Sequence, residues 1–244
     1  MSKIKNKGLI VITGASSGIG AETAKLFSKH GHPLLLIARR LSKLKELNLS
    51  NTIYKKADVS NLQELREAIN YAENIYGPTD CIINNAGVML LGDVTDQDPE
   101  EWRKMFEVNV FGVLNGIQAV LPKMKKQKKG TIINISSIAG KKTFANHAVY
   151  GGTKFGVQGI TENIREEVCK YNIRTMSIAP GAVETELLSH TSSSEIIENY
   201  EQWKTNMGGV LNPIDVANSI WFAYAQPQHI NIREIVLATT KQEV

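Results

Sequence analysis

The chain has 244 residues, of which 42% are hydrophobic and 21% are charged, so it can bury a sizeable core and lacks the composition of a disordered protein. Its net charge of +4 is only mildly basic, which gives little support to a nucleic-acid partner. The two cysteines, Cys81 and Cys169, form no CxxC pair, which excludes a disulfide scaffold and a thiolate zinc site and fits a reducing cytosol. No apolar run approaches the roughly 18 residues that span a bilayer, and the apolar stretch near the start is too short for a signal peptide. We therefore expect a soluble, cytoplasmic, enzyme-like protein with no nucleic-acid or membrane partner.

Short apolar runs alternate with longer amphipathic stretches along the chain. Strands that are buried on both faces of a parallel sheet have continuous apolar sequences. Six runs of this kind occupy residues 8–13, 33–38, 81–84, 131–135, 173–178 and 232–237. Helical spacing of apolar residues marks residues 62–76, 100–126, 147–171 and 214–224. This alternation predicts a doubly wound α/β Rossmann sheet of about seven parallel strands, with helices on both faces, in a single domain over residues 1–244.

Residues 184–209 interrupt the alternation. They are polar, rich in serine and threonine, and have no strand pattern. A long excursion in a compact domain is more often a lid or a substrate loop than a simple connection. We expect this segment to be a lid or loop insertion on the substrate side, and we expect further substrate contacts from residues 89–95 and 139–146.

The first strand leads directly from Thr13 into the sequence G-A-S-S-G-I-G. Glycines permit a tight turn and bring backbone N–H groups close to a pyrophosphate, while the following helix N-terminus adds partial positive charge. The candidate cofactor-binding residues of this turn are Gly14, Ser16, Ser17, Gly18, Ile19 and Gly20. The alternative is an ordinary connection that happens to contain glycines. The spacing G-x-x-x-G-x-G behind a threonine resembles the short-chain dehydrogenase/reductase family.

The end of the second strand predicts which dinucleotide is bound. NAD-binding Rossmann units carry an acidic residue about 20 positions beyond the glycines, which binds the ribose 2′-hydroxyl. Ala38 stands at this place and is followed by Arg39 and Arg40. Arginine binds a 2′-phosphate in a bidentate, charge-assisted manner, and the resemblance implies the same preference, mainly through Arg39 with help from Ser16 or Arg40. We therefore predict NADP(H), the alternative being two arginines that only cap the next helix in solvent.

Three residues of the second half of the chain suggest proton-transfer chemistry. Tyr150 and Lys154 are spaced i, i+4 and therefore lie on one face of a helix. A tyrosine titrates near pH 10, and an adjacent ammonium group is expected to lower that pKa. Ser137 follows a strand at the edge where open α/β sheets bind ligands, and its hydroxyl can stabilise charge on a carbonyl oxygen. Taken singly, the Tyr-Lys pair also fits a helix surface and Ser137 an ordinary strand end.

Further segments match the same family in order. Residues 84–87 read N-N-A-G after the fourth strand, and Tyr150 follows Ser137 by thirteen positions, an interval that the family uses. The resemblance implies that Asn109 interrupts its helix and holds a water that links Lys154 to solvent. The catalytic residues that it implies are Asn109, Ser137, Tyr150 and Lys154. The further cofactor contacts that it implies are Asp58, Val59, Asn85, Ala86, Gly87, Tyr150, Lys154, Pro180, Gly181, Val183 and Thr185. Asp58 also fits a helix cap, and the Pro-Gly pair a turn that ends a strand.

The predicted reaction is the NADP-dependent interconversion of a secondary alcohol and a carbonyl, with Tyr150 as the acid/base. The A-R-R sequence and the tail at 232–242 resemble the group that acts on serine and other 3-hydroxy acids. The alternatives are a broad carbonyl reductase for aldehydes, ketones or quinones, and a non-catalytic NADP(H)-binding redox sensor. The five histidines show no metal-ligand spacing, so we expect no metal, while His147 and Trp203 are candidates for substrate contact. Apolar helix faces at 105–120 and 149–164 fit the interface by which relatives pair, so a homodimer or homotetramer is expected.

Overall fold

The computed structural model describes residues 7–242 and shows one seven-stranded sheet with the order β3-β2-β1-β4-β5-β6-β7. The strands are β1 (Leu9–Thr13), β2 (Leu34–Ala38), β3 (Thr52–Lys56), β4 (Thr79–Asn84), β5 (Gly130–Ile135), β6 (Ile173–Pro180) and β7 (Glu234–Leu237). All neighbouring strands are parallel. The predicted doubly wound sheet is therefore confirmed. The strand order reverses between β1 and β4, and open α/β sheets bind ligands at such a reversal.

Eight α-helices connect the described strands. They are α1 (Gly18–Lys29), α2 (Leu41–Glu46), α3 (Leu62–Tyr76), α4 (Pro99–Phe106), α5 (Gly112–Gln127), α6 (Ala148–Val168), α7 (Ser194–Asn206) and α8 (Pro213–Ala225). The stretch that was predicted as one helix over 100–126 consists of α4, a π-helical turn at Glu107–Phe111 and α5. Short 3₁₀ segments lie at Ile138–Gly140, Cys169–Tyr171 and Glu186–His190.

The core lies in two layers because side chains of each strand alternate between the two sheet faces. Leu9 and Val11 of β1 point to the face covered by α3, α5 and α6. Ile10 and Ile12 point to the opposite face, where Phe27 of α1 packs with α8. Helices therefore cover both faces of the sheet, which leaves the strand ends as the place where polar side chains can gather.

The segment 184–209 contains more regular structure than predicted, although it has no strand. After the 3₁₀ turn at Glu186–His190 comes α7, whose N-cap residue Ser193 accepts a hydrogen bond from the backbone of Ile196. No residue of α7 is fully buried, because it lies on the surface rather than in the core. Its side chains Ile196, Ile197 and Tyr200 pack on a third apolar cluster near the carboxyl ends of the strands.

The continuous helical stretch Pro99–Gln127 has the length and apolar composition of a membrane-crossing helix. The stretch is not the continuous apolar run that the sequence prediction excluded, because Glu107, Asn109 and Asn115 interrupt it. In the structure, Val113, Ile117, Val120 and Met124 of this stretch belong to the buried core. The apolar side chains of this stretch therefore pack against the sheet.

Candidate active site

The turn between β1 and α1 is held tightly against the end of β4. Gly14 and Gly18 have φ values of +64° and +52°, a left-handed conformation that favours glycine. A Cβ on Gly14 would lie 2.7 Å from the Cα atom of Ala86. The turn therefore requires glycine both for its backbone conformation and for its contact with the neighbouring strand end.

Asn85 and Thr13 fix this contact by hydrogen bonds. The side-chain amide of Asn85 donates to the carbonyl oxygens of Thr13 and Gly14, at 3.0 and 3.1 Å. The Thr13 hydroxyl accepts from the backbone N–H groups of Asn85 and Ala86, at 3.0 and 3.1 Å. Asn85 thus acts as a support of the turn, and Thr13 is a positioning residue that was not among the predicted site residues.

A cavity of about 600 Å³ opens at the carboxyl edge of the sheet. It is lined by all the predicted site residues except Gly20 and Asn109. A Cβ on Gly20 would lie 2.5 Å from the carbonyl oxygen of Gly14, so this residue packs behind the turn and supports it from inside. The sequence motif does not distinguish Gly14 and Gly18, which line the cavity, from Gly20, because spacing alone does not show which glycines face it.

Ser137, Tyr150 and Lys154 meet at one end of the cavity, and all three side chains are buried. Ser137 follows β5 and accepts a hydrogen bond from the backbone of Ala139 at 3.1 Å. Lys154 donates from Nζ to the carbonyl oxygen of Ile135 at 3.0 Å, and the same Nζ lies 5.7 Å from the centroid of the Tyr150 ring. The arrangement provides a hydroxyl, a phenol and an amine around one space.

Burial dominates the electrostatics of this group. It raises the pKa of Tyr150 well above its ordinary value, and a hydrogen bond with Ser137 acts in the opposite direction with a smaller effect. Burial also lowers the pKa of Lys154 to about 8. The expectation that Lys154 lowers the pKa of Tyr150 is therefore not met, because burial outweighs the hydrogen bond with Ser137 and the Lys154 amine is not among the groups that shift this pKa. The phenol is held in its protonated form, which is the form that can donate a proton.

Asn109 lies in the π-helical turn, so its helix is interrupted at the place the resemblance implied. Its side-chain oxygen accepts from the backbone of Val88 at 2.8 Å. Its side-chain nitrogen donates to the Val88 carbonyl at 2.9 Å and to the Thr153 hydroxyl at 3.1 Å. Asn109 therefore ties the segment after β4 to α6, one residue before Lys154, without lining the cavity itself.

The opposite end of the cavity is basic. Arg40 donates to the Ser17 hydroxyl at 2.9 Å and to the Ser16 hydroxyl at 3.2 Å, and it forms an ion pair with Glu186 at 2.8 Å. Arg39 lines the cavity and has no hydrogen bond or ion pair within the described part of the chain. The two arginines that follow β2 thus lie beside the glycine turn, and one of them has its donors free.

Asp58 lines the cavity near these arginines, and its Oδ1 accepts from the backbone and the hydroxyl of Ser60 at 2.9 and 2.8 Å. The residue that caps α3 is Asn61, whose side chain accepts from Gln63 and Glu64. The alternative interpretation of Asp58 as the helix cap was therefore wrong.

The end of the cavity beyond Tyr150 is largely apolar and aromatic. Its lining includes Met89, Leu91, Phe144, His147, Tyr200 and Trp203. The centroids of the His147 and Tyr150 rings are 6.1 Å apart, and burial lowers the pKa of His147. The three segments expected to contact substrate all contribute to this wall, but no sequence signal singled out Tyr200.

Among residues 7–242, no group of three His, Cys, Asp or Glu side chains is placed to hold a metal ion. The cavity instead joins two chemically different ends. A glycine turn and arginines lie at one end, and a proton donor lies at the other end beside an apolar wall.

Comparison with known proteins gives a consistent result. The family model for short chain dehydrogenases matches residues 8–196. An uncharacterised oxidoreductase of Staphylococcus saprophyticus is 40% identical over 250 residues, with 100% of both chains covered. A closed form of serine dehydrogenase complexed with NADP+ is 29% identical, has a TM-score of 0.89 and covers 97% of this chain and 96% of its own. ElxO with NADP bound is 28% identical, has a TM-score of 0.84 and covers 94% of this chain and 96% of its own.

The match extends over the glycine turn, the strand ends and the residues at both ends of the cavity. The chain therefore belongs to the short-chain dehydrogenase/reductase family and is an oxidoreductase of that family.

Proposed function

We propose that this protein is an NADP-dependent oxidoreductase that interconverts a secondary alcohol and a carbonyl by hydride transfer. The observation that carries the proposal is the meeting of buried Ser137, Tyr150 and Lys154 in the cavity whose far end holds the glycine turn. A buried proton donor next to a dinucleotide site is what carbonyl reduction needs, because the product oxygen must receive a proton as the carbon receives hydride.

In the direction of reduction, NADPH bound at the glycine turn would supply the hydride for the carbonyl carbon. Tyr150 transfers its phenolic proton to the carbonyl oxygen, and the Ser137 hydroxyl donates a hydrogen bond to the same oxygen as negative charge develops there. Lys154 offers an ammonium group near the phenolate that remains and can donate to ribose hydroxyls. In the reverse direction, the Tyr150 phenolate would accept the alcohol proton, and the oxidised dinucleotide would take the hydride.

Asn109 contributes by holding the residues around Lys154. Its bonds to Val88 and Thr153 connect the strand end after β4 with the helix that carries Tyr150 and Lys154. A π-helical turn leaves backbone groups outside the regular helical ladder, which supports the proposed water that links Lys154 to solvent.

The preference for NADP rests on the two arginines. Ala38 leaves no carboxylate to bind a 2′-hydroxyl. Arg39 lines the cavity without a hydrogen bond or ion pair in the described part of the chain, and Arg40 donates to the hydroxyls of Ser16 and Ser17. The similarity to NADP-complexed structures supports the same preference.

The substrate has two candidate classes. Similarity to serine dehydrogenase supports a small 3-hydroxy acid such as serine. The wall beyond Tyr150 favours the other class, a neutral aldehyde, ketone or quinone, because its lining is apolar and aromatic. The cation on this side, Lys204, is already paired with Glu184 and Glu201 at 3.2 and 2.9 Å. A carboxylate substrate would have to compete with both acids for that ammonium group.

The excursion from 184 to 209 is proposed as a lid over this cavity. Leu187, Leu188, Tyr200 and Trp203 from this segment line the cavity, opposite the sheet edge. The proposal rests on α7, which buries no residue completely, whereas the start of the segment is fixed by buried Leu188 and by hydrogen bonds of Thr191 with Met89 and Leu91.

Pairing of subunits is proposed through α4, α5 and α6, in a homodimer or homotetramer. Phe111 of the π-helical turn and Phe155 of α6 are 55% and 45% exposed. A Cβ added at Gly152 on α6 would have no neighbour within 4 Å. Large exposed apolar side chains on one face mark an interaction surface.

A cytoplasmic location is also proposed, in keeping with two cysteines that form no disulfide.

The decisive experiment follows NADPH absorbance with a panel of aldehydes, ketones and quinones, and NADP+ reduction with serine and other 3-hydroxy acids. The wild-type protein is expected to turn over at least one member, and Tyr150→Phe is expected to lose about 100-fold or more of that rate while still binding NADPH. Tight NADPH binding without turnover of any member would favour the redox sensor. Equal turnover by Tyr150→Phe would remove Tyr150 from the mechanism.

A further inference from the structure

An acidic residue of the 184–209 segment contacts the basic end of the cavity. Glu186 lines the cavity and forms ion pairs with Arg40 at 2.8 Å and with Lys43 at 3.2 Å. Arg40 uses its other terminal nitrogen for the hydroxyls of Ser16 and Ser17. The carboxylate of Glu186 is therefore placed against the cationic groups that surround the glycine turn.

The donors that bind the Glu186 carboxylate are also suited to a phosphate ester. Arginine binds carboxylate and phosphate oxygens with the same donors and the same planar geometry. The hydroxyls of Ser16 and Ser17 are also suited to a phosphate. Any anion that binds Arg40 must therefore compete with the Glu186 carboxylate for the donors of this arginine.

The charge of Glu186 is maintained across the pH range in which proteins are usually studied, because Arg40 and Lys43 lower its pKa to about 2. Asp58 and Glu186 are the two carboxylates among the described residues of the cavity lining. The Asp58 carboxylate is bound to Ser60, so Glu186 is the acid paired with the cations here. His190 adds a further titratable group beside Arg39, Arg40 and Glu186.

We propose that Glu186 determines cofactor selectivity by competing with the 2′-phosphate of NADP(H) for Arg40 and Lys43, and thereby limits the affinity for the phosphorylated dinucleotide. The proposal rests on the NADP preference proposed above. NADH shares the pyrophosphate of NADPH but has a hydroxyl where NADPH has the 2′-phosphate, so only NADPH places that second anion against these cations. Removal of the Glu186 charge should therefore act on one cofactor and spare the other.

The same contact links cofactor choice to the lid. Glu186 follows Thr185, whose Cγ2 atom would lie 3.0 Å from a Cβ on Gly18, so the lid starts directly on the glycine turn. When a phosphate takes the place of the Glu186 carboxylate at Arg40, the lid loses an attachment at this end. The lid is then held by its apolar contacts and by the cofactor.

The test compares dissociation constants for NADPH and NADH, measured by calorimetry at low ionic strength, in wild type and Glu186→Gln. The matched control is Glu195→Gln, which removes one exposed negative charge from the same segment at a residue that does not line the cavity. Exposed ion pairs are weak, so the expected effect is modest: NADPH binds about three- to tenfold more tightly to Glu186→Gln. NADH affinity stays within about twofold, and Glu195→Gln changes neither constant by more than that.

Two results would overturn the proposal. One is an NADPH affinity that is unchanged or weaker in Glu186→Gln, and the other is an equal gain for NADPH and NADH. These results differ from a failure of the NADP preference itself, in which the wild-type protein binds NADPH no more tightly than NADH. In that case both proposals fall, whereas a wild-type preference for NADPH that Glu186→Gln leaves unchanged removes the role of Glu186 alone.

Discussion

Lys154 donates a hydrogen bond from Nζ to the backbone carbonyl of Ile135 across 3.0 Å, which joins the second turn of α6 to the last residue of β5. The ammonium group is thus held under Tyr150 by the strand that also leads to Ser137. This placement takes a charged group out of water, and the lowered pKa of about 8 reflects that burial.

The first prediction concerns stability and pH in Lys154→Met. The folded protein holds the Lys154 proton with a pKa of about 8, whereas an unfolded lysine has its ordinary value of 10.5. Between these values the unfolded chain binds more protons, so this lysine makes wild-type stability rise with pH in that interval. The stability of the wild type relative to Lys154→Met should therefore increase by about 1–2 kcal/mol from pH 7 to pH 9.5.

Urea unfolding at the two pH values measures this difference. Lys170→Met, at an exposed position, is the control and should keep the same difference from wild type at both pH values. A gap between wild type and Lys154→Met that does not change with pH would contradict the burial argument. Turnover of Lys154→Met should be lost at every pH.

The second prediction concerns Arg39→Ala. A charge-assisted bond between a guanidinium and a phosphate contributes about 1.5–3 kcal/mol, so NADPH affinity should fall about 10- to 100-fold. NADH affinity should change by less than about threefold, because the lost donors face a phosphate that NADH lacks. Fluorescence titration with both cofactors checks this, and equal losses for NADPH and NADH would reject the role of Arg39.

The third prediction contrasts two glycines. Alanine in place of glycine inside a helix gains up to about 1 kcal/mol. Gly159→Ala on α6 should show this gain when it is compared in monomeric protein such as Phe155→Glu, since a Cβ there would have no neighbour within 4 Å in its own subunit. Gly20→Ala places its Cβ 2.5 Å from the Gly14 carbonyl oxygen, and an overpacked contact costs about 1–3 kcal/mol. Thermal unfolding should therefore give opposite signs for the two variants, with weaker NADPH binding only in Gly20→Ala.

The fourth prediction concerns the exposed aromatic face. Phe155→Glu puts a charge on the proposed subunit interface, where it would be buried without a partner. Light scattering should then show a smaller assembly than for wild type, while Phe222→Glu, at a similarly exposed phenylalanine of α8, should leave the size unchanged. A wild-type protein that is already monomeric would contradict the interface.

Much of the fold could be predicted because its strands are continuous apolar runs, and the bounds predicted for the helix at 62–76 agree with α3. The strand β3 has no such run, since it is partly exposed and carries Lys55 and Lys56. The helix α7 was not predicted because it buries no residue completely, so its sequence has little of the apolar spacing by which core helices are found.

The candidate site was predictable where a short motif fixes the residue type. Tyr150, Lys154, Ser137 and the glycine turn do gather at one cavity. The contacts that depend on distant parts of the chain were not predictable. Glu186 is far in sequence from its ion-pair partner Arg40. The Asn109 side chain donates hydrogen bonds to Val88 and Thr153, and no local sequence pattern specifies these partners.

The π-helical turn at Glu107–Phe111 restricts the sequence changes that this region can accept. A π-helical turn takes up one residue more than an α-helical turn, so winding the same residues as a regular helix would rotate everything after them by about 100°. Val113 and Ile117 would swing away from the sheet together with the shift of Asn109. Substitutions that force regular winding here would therefore disturb the packing of α5 and the contacts of Asn109 with Val88 and Thr153 in one step.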